Sequence, residues 1–245
     1  MRRLTVLGTC GAWPEAAGCG ASGFLLEYDG YRLVLDLGYA TFPRLLEHCP
    51  AGELDAVVIT HEHPDHCADL SALSRARYFA PERGPRLPLY CTPGVVGRVQ
   101  AMEPTESLAD VFTVHPLPAR HRLGPFRLDA EQLPHHVPHA GLRLTAPGLT
   151  VAYSGDAGPA PALARLAAGA DLFIAGTTLQ DGDPDDPHLL SATTAAAWAG
   201  RAGAQHLLLT HFWPGSDRAR SVAEARAAFA GRVTAAAEGM VIDLG

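Results

Sequence analysis

Two apolar runs in this chain end in the same way: Asp55-Ala-Val-Val-Ile-Thr60-His61 and Gln205-His-Leu-Leu-Leu-Thr210-His211. Each has the continuous apolarity of a strand buried on both faces, and each delivers a histidine at its end. This echo points to an α/β protein with two related halves, and the surrounding pattern agrees. Leu4–Leu7, Phe24–Tyr28 and Arg32–Leu37 read as strands, with Tyr28-Asp29-Gly30-Tyr31 as a hairpin turn, so the first segment is expected to be antiparallel. Helical patterns at 42–48, 69–79 and 95–102 then alternate with strands at 56–60 and 89–91. Further strands are expected at 111–115, 126–133, 141–145 and 150–154, followed by a helix at 160–167. The last part alternates strand and helix at 172–175, 193–201, 206–210 and 221–230, with final strands near Val233 and Val241. Proline, glycine and charge mark 80–88 and 181–187 as surface loops. Mixed sheets with helices in both halves are expected to form a four-layer αββα sandwich, an α/β fold in which two sheets face each other under outer helices. At 245 residues and 47% hydrophobic content, one domain spanning 1–245 is expected.

His61-Glu62-His63-Pro64-Asp65-His66 follows the first of these strands directly. Pro64 stops the segment from continuing as a regular helix, so a tight turn is expected. His61 and His63 can then point to one ion while Asp65 and His66 turn to a second, because imidazole and carboxylate together suit zinc-like metals. Three histidines and two acids immediately after Val57-Val58-Ile59 do not fit an ordinary solvated loop.

This H-x-H-x-D-H element resembles the signature of the metallo-β-lactamase fold superfamily, and further elements follow in that superfamily's order along the chain. Asp36 in Leu35-Asp36-Leu37-Gly38 resembles the early aspartate that supports the metal loop. His135, six residues before Gly141, resembles the metal histidine of the branch that includes ribonuclease Z and small phosphodiesterases. Asp156 in Tyr153-Ser154-Gly155-Asp156 resembles the bridging aspartate, and His211 the last ligand. The resemblance implies His61, His63 and His135 for one ion, Asp65, His66 and His211 for the other, and Asp156 shared. A bridging carboxylate holds two cations about 3.5–4 Å apart while lowering their repulsion. The implied cofactors are two divalent ions, Zn2+ by preference, with Mn2+ or iron as alternatives. His136 and His139 are neighbours of this element, and His139 is expected to line the pocket.

Two such ions would bring a shared water near neutral pKa and polarise a substrate oxygen, giving hydrolysis without a covalent intermediate. No G-x-S-x-G elbow and no phosphate-binding glycine loop is present in the sequence. Besides Asp65, the catalytic candidate is His188 as proton donor to the leaving group. Ribonuclease Z relatives carry a histidine at the position that counts to Leu189 here, one residue away. The favoured substrate is a small phosphodiester. A lactone, ester or other acyl compound is the alternative, and a metal-binding protein with a degenerate catalytic site is the alternative of another class. Three departures weigh against transfer-RNA processing. His135 and Asp156 lie only 21 positions apart, Ile174-Ala175-Gly176-Thr177-Thr178 stands where ribonuclease Z typically has a His-Glu pair, and the net charge is -7. That charge, without a lysine or arginine run, disfavours long nucleic acids. Phe212-Trp213-Pro214 places aromatic surface after the last ligand, with Trp213 a candidate substrate contact. The five cysteines are scattered without a C-x-x-C pair, which favours a reduced, cytoplasmic setting. The N-terminal apolar run is too short for a signal peptide or membrane span, so the expected partners are a small molecule and a second copy of the chain in a dimer.

Overall fold

A computed structural model describes residues 1–245 except 16–18, 83 and 104–106. In chain order the elements are β1 (Arg2–Gly8), β2 (Gly23–Tyr28), β3 (Tyr31–Leu37), α1 (Phe42–His48), β4 (Ala56–Ile59), α2 (Pro64–Cys67), α3 (Leu70–Tyr78) and β5 (Leu87–Cys91). Then come α4 (Pro93–Gln100), α5 (Leu108–Val111), β6 (Phe112–Pro116), β7 (Arg120–Leu123), β8 (Phe126–Gln132), β9 (Ala140–Ala146) and β10 (Leu149–Tyr153). The last are α6 (Pro161–Leu166), β11 (Leu172–Gly176), α7 (Ala192–Ala202), β12 (His206–Thr210), α8 (Arg218–Ala228), β13 (Arg232–Ala235) and β14 (Val241–Asp243). They form two compact units, residues 1–117 with 237–245, and residues 118–236. Residue 83, within the loop expected at 80–88, lies outside the described residues.

Each unit holds one seven-stranded mixed sheet, ordered β14-β1-β2-β3-β4-β5-β6 in the first and β13-β12-β11-β10-β9-β8-β7 in the second. Both follow one plan, with strands antiparallel from β14 to β3 and from β7 to β10 and parallel from β3 to β6 and from β10 to β13. The strands that end in Thr-His, β4 and β12, lie in the parallel halves and are buried at every residue. Their unbroken apolar runs are what a strand covered on both faces requires.

Local chemistry accounts for the elements. Asp29 and Gly30 both take positive φ, 48° and 96°, which is the geometry of the two-residue turn joining β2 to β3. In the first unit, Phe42 and Leu45 of α1, Leu70 and Leu73 of α3 and Val95 and Val99 of α4 bury against Leu25, Val34, Val57 and Leu89 of the sheet. In the second, Leu163 of α6 and Ala195 and Ala199 of α7 pack with Phe173, Leu207 and Leu209. Each fully buried leucine or phenylalanine contributes roughly 1.5–3 kcal/mol relative to exposure. Helix α7 buries Ala192, Ala195, Ala196 and Ala199, a helical stripe of small residues. Ser191 Oγ accepts the Thr194 N–H at its start, and Gly203 at φ 67° ends it.

Three expectations are corrected. The turn expected after His63 is the one-turn helix α2, because Pro64 occupies its first position, where a missing N–H costs nothing. Strand β7, Arg-His-Arg-Leu, was not expected because it carries three basic residues, a composition suited to a sheet edge. Cys10 and Cys19 form a disulfide with Cα atoms 6.5 Å apart, so these two are not the reduced, unpaired thiols expected. The Thr9 and Cys10 N–H groups both donate to the Gly20 carbonyl, bringing the ends of that loop together. Burial pushes the thiols of Cys49, Cys67 and Cys91 up to about 11, 12 and 12. Alkylation of the native protein at pH 8 is therefore expected to label none of these three, and denaturation without reductant to expose three thiols rather than five. Counting adducts by mass checks both.

No helix among the described residues is long and apolar enough to cross a membrane. His206 on β12 is 7% exposed, and its Nε2 lies 2.9 Å from Thr234 Oγ1. Burial, with Arg232 beside it, pushes its pKa down to about 4 from 6.5. A histidine depressed in the folded state stabilises fully above its unfolded value, and that stability is lost as pH falls from 6.5 toward 4. After discounting for solvent screening, urea unfolding at pH 7 and pH 4.5 should show His206→Gln losing roughly 2 kcal/mol less than the native chain. Equal losses would contradict this assignment.

Candidate metal centre

In the first unit the site begins at Asp36, near the end of β3, which is fully buried and sits at φ 54°. This left-handed conformation is uncommon for a residue other than glycine, and here it turns the carboxylate toward the end of β4. Asp36 Oδ1 accepts the Thr60 N–H at 2.7 Å, and Oδ2 lies 2.9 Å from Thr60 Oγ1 and 2.8 Å from His66 Nδ1. Thr60 Oγ1 is in turn 3.0 Å from His61 Nδ1. One carboxylate thus engages Nδ1 of His66 directly and Nδ1 of His61 through a hydroxyl, leaving Nε2 of each as the nitrogen that could face a metal. His61 Nε2 lies 3.1 Å from His63 Nδ1, and His66 Nε2 lies 3.6 Å from Asp65 Oδ2.

The loop carrying these groups is held from several sides. The Ala12 N–H donates to Asp65 Oδ2 at 2.8 Å, and the Ser22 N–H donates to the Asp65 carbonyl at 3.0 Å. Glu62 accepts from Arg98 at 3.3 Å and lies across Gly94 at the start of α4. Gly38 passes so close to Asp65 that a Cβ there would sit 1.8 Å from its carbonyl oxygen. Gly38→Ala is therefore expected to push Asp65 off its position at a cost of about 1–3 kcal/mol, the scale of overpacking. A tenfold or greater loss of metal affinity, measured by competition with a chromogenic chelator, is the expected result. An unchanged affinity would contradict it.

In the second unit, His135 Nε2 and His211 Nε2 each lie 3.5 Å from the same atom, Asp156 Oδ2. Asp156 is 7% exposed and follows the end of β10. His135 Nδ1 donates to the His188 carbonyl at 3.2 Å, and His211 Nδ1 lies 2.9 Å from Thr178 Oγ1, so both again present Nε2. Thr178 Oγ1 also lies 3.4 Å from Asp156 Oδ1. Gly158 allows the Pro187-His188 backbone to approach, since a Cβ there would meet the Pro187 carbonyl at 1.9 Å.

These separations suit metal ligands. Tetrahedral zinc with bonds of about 2.0–2.1 Å places two of its ligand atoms about 3.3 Å apart. The four pairs, two in each unit, fall between 3.1 and 3.6 Å. Ligand atoms of His61 with His63, Asp65 with His66, and His135 with Asp156 all belong to groups compact enough for one ion.

Other expected residues take different places. His139 is buried at 1% exposure, and its Nε2 accepts the Asp156 N–H at 3.2 Å, so it stands behind Asp156 and not on a substrate-facing surface. The His188 ring packs 4.5 Å from that of His136, and its Nδ1 is buried without a hydrogen-bond partner among the described residues. Trp213 is 45% exposed, whereas Phe212 beside it is buried under Arg218. Sequence reasoning missed Thr60 and Thr178. Thr60 precedes a ligand and could have been found, but nothing local marks Thr178, 33 positions before its histidine.

The sequence matches the family described as Beta-lactamase superfamily domain over residues 34–212. It is 34% identical over 260 residues to an uncharacterized protein of Mycobacterium leprae, covering 99% of this chain and 88% of that one. It is 31% identical over 247 residues to the probable metallo-hydrolase YhfI of Bacillus subtilis, covering 98% of both. The crystal structure of YhfI matches with a TM-score of 0.88 at 28% identity, covering 98% of both chains. A ribonuclease Z of Kineococcus radiotolerans is 28% identical over 285 residues, covering 94% of this chain and 89% of that one. With its two mixed sheets, their flanking helices and the H-x-H-x-D-H loop after β4, the chain belongs to the beta-lactamase superfamily and has the metallo-β-lactamase fold.

Proposed function

We propose that the chain is a metallo-hydrolase that binds two divalent ions, zinc by preference, and cleaves a small phosphodiester. The observation that carries the reading is Asp156 Oδ2, one carboxylate oxygen at 3.5 Å from the presented nitrogens of two histidines. In this assignment His61, His63 and His135 serve one ion, Asp65, His66 and His211 the other, and Asp156 both. Bound there, two divalent ions supply Lewis acidity, which lowers the pKa of water toward neutrality and polarises a phosphoryl oxygen.

The chain's own residues supply the rest. Asp36, Thr60 and Thr178 orient ligand imidazoles, and His139 orients Asp156 through its backbone N–H. His188 is the proposed proton donor to the leaving group, on a backbone already fixed against His135. The phosphodiester is supported by the similarity to ribonuclease Z. A small substrate is supported by the acidic net charge and the short interval between His135 and Asp156.

A panel of bis-(p-nitrophenyl) phosphate, a lactone and a β-lactam, run beside Asp65→Ala, tests the proposal. Turnover of the phosphodiester by the native protein, lost with a strong chelator and in the variant, is expected. Turnover confined to the carbonyl substrates would overturn the phosphodiester assignment.

A further inference from the structure

Asp65 is gripped from both ends of one short loop. Two residues after Cys10, the Ala12 N–H donates to Asp65 Oδ2 at 2.8 Å, and three residues after Cys19, the Ser22 N–H donates to the Asp65 carbonyl at 3.0 Å. Oδ2 is the oxygen that lies 3.6 Å from His66 Nε2, so Ala12 holds the very atom assigned to an ion. The Cys10–Cys19 disulfide closes the loop behind Ala12.

Ala12 does not keep its conformation unaided. Its φ is 60°, and the Trp13 N–H donates to the Gly11 carbonyl at 2.7 Å across it, a three-residue turn of the rare and strained kind. An alanine stays in the left-handed region only where its surroundings impose it, and such residues gather at ligand clamps and switches. The bridge two residues before Ala12 is the covalent constraint on this segment. The Thr9 and Cys10 N–H groups stay on the Gly20 carbonyl whatever the state of the sulfurs, so opening the bridge loosens the loop without detaching its base.

The surroundings of the sulfurs suit both states. Cys19 Sγ lies 3.0 Å from Glu238 Oε1 and 3.7 Å from the Gly20 carbonyl, and the Thr9 hydroxyl donates to the same Glu238 oxygen at 2.6 Å. A bridged sulfur has no proton for these acceptors, whereas a thiol has one. Cys10 is fully buried and Cys19 is 9% exposed, so an incoming thiolate reaches the Cys19 sulfur first.

We propose that the Cys10–Cys19 bridge is a reversible thiol–disulfide switch on the metal centre: closed, it holds the Ala12 N–H on Asp65, and opened by a dithiol reductant, it releases Asp65. One reductant thiolate attacks Cys19 Sγ, the Cys10–Cys19 bond breaks, and Cys10 leaves as a thiolate that takes a proton. The second reductant thiol then displaces Cys19, which is protonated and donates to Glu238. Two electrons and two protons pass to the chain, and the reductant ends as a disulfide. The inference rests on the assignment of Asp65 as a ligand.

Mn2+ binding, followed by the resonance signal of the free ion, tests the switch. Cys10, Glu15 and Cys19 lie close enough together to hold a soft ion once reduced, and Mn2+ avoids them because it prefers oxygen and imidazole. Excess dithiothreitol should raise the cysteines alkylated after denaturation from three to five while the circular dichroism stays native. In the same sample one of two Mn2+ ions should bind about tenfold more weakly or worse, the scale of losing an outer partner of a ligand, and the other should be unaffected. Reoxidation should restore it. Cys10→Ser with Cys19→Ser should bind weakly without reductant, and Ala12→Pro, which keeps the bridge but has no N–H for Asp65, should bind weakly in both states. Equal Mn2+ affinity in the two states, or a bridge that opens only on unfolding, would overturn the switch and leave the metal assignment standing. A tenfold response retained in Ala12→Pro would overturn the route through Ala12. Absence of Mn2+ and Zn2+ binding in either state would instead remove the metal assignment, and the switch with it.

Discussion

Replacing Asp156 by asparagine is expected to lower kcat on bis-(p-nitrophenyl) phosphate by on the order of 10³-fold or more, the scale of losing a preorganised electrostatic contact. The substitution is nearly isosteric. It retains the backbone N–H that donates to His139 Nε2 and an oxygen within reach of Thr178, so the cost does not come from lost packing. What disappears is the negative charge beside both His135 Nε2 and His211 Nε2. Two cations held a few ångströms apart repel strongly, and the shared carboxylate offsets that repulsion. The variant should therefore bind at most one ion per chain while its circular dichroism spectrum remains native. Native activity and two retained ions would remove Asp156 from the bridging role.

Asp36→Ala has the second largest expected effect, and it falls on stability as well as activity. The native carboxylate is fully buried and receives the Thr60 N–H, the Thr60 hydroxyl and His66 Nδ1. Truncation leaves those three groups buried and unanswered at about 1–3 kcal/mol each, so a loss of at least about 3 kcal/mol is expected in urea unfolding of the metal-free protein. Alanine also tolerates φ 54° less well than aspartate. The two imidazoles that Asp36 orients lose their fixed tautomer, and metal affinity should fall a further 10–100-fold, as for other removed outer partners of metal ligands. Asp36→Asn separates the two effects. It tolerates the backbone conformation and keeps one acceptor, so stability should recover in part while metal affinity stays low. Native stability and affinity in the alanine variant would show that Asp36 does not organise the site.

The residues differ in how openly the sequence displays their roles. The hairpin at Tyr28–Tyr31 and helix α1 rest on local rules, turn residues and helical spacing, and both are legible. Strands β4 and β12 are legible for the same reason, as unbroken apolar runs. Asp36 is legible only through resemblance, since an aspartate near a strand end is otherwise ordinary. Its reach to Thr60 and His66, 24 and 30 positions away, depends on the fold. His139 shows the limit of proximity in sequence: it neighbours a ligand segment yet folds behind Asp156. The Cys10–Cys19 disulfide has no motif spacing and depends on the meeting of β1 and the segment before β2 at Gly20.

Counting metal by mass spectrometry of native protein loaded with Zn2+ and freed of excess, alongside a chelator titration of bis-(p-nitrophenyl) phosphate hydrolysis, tests the dinuclear hydrolase most directly. Two ions per chain, with activity falling as they are withdrawn, is the expected result. Full activity with fewer than one ion per chain, or activity indifferent to the chelator, would contradict it.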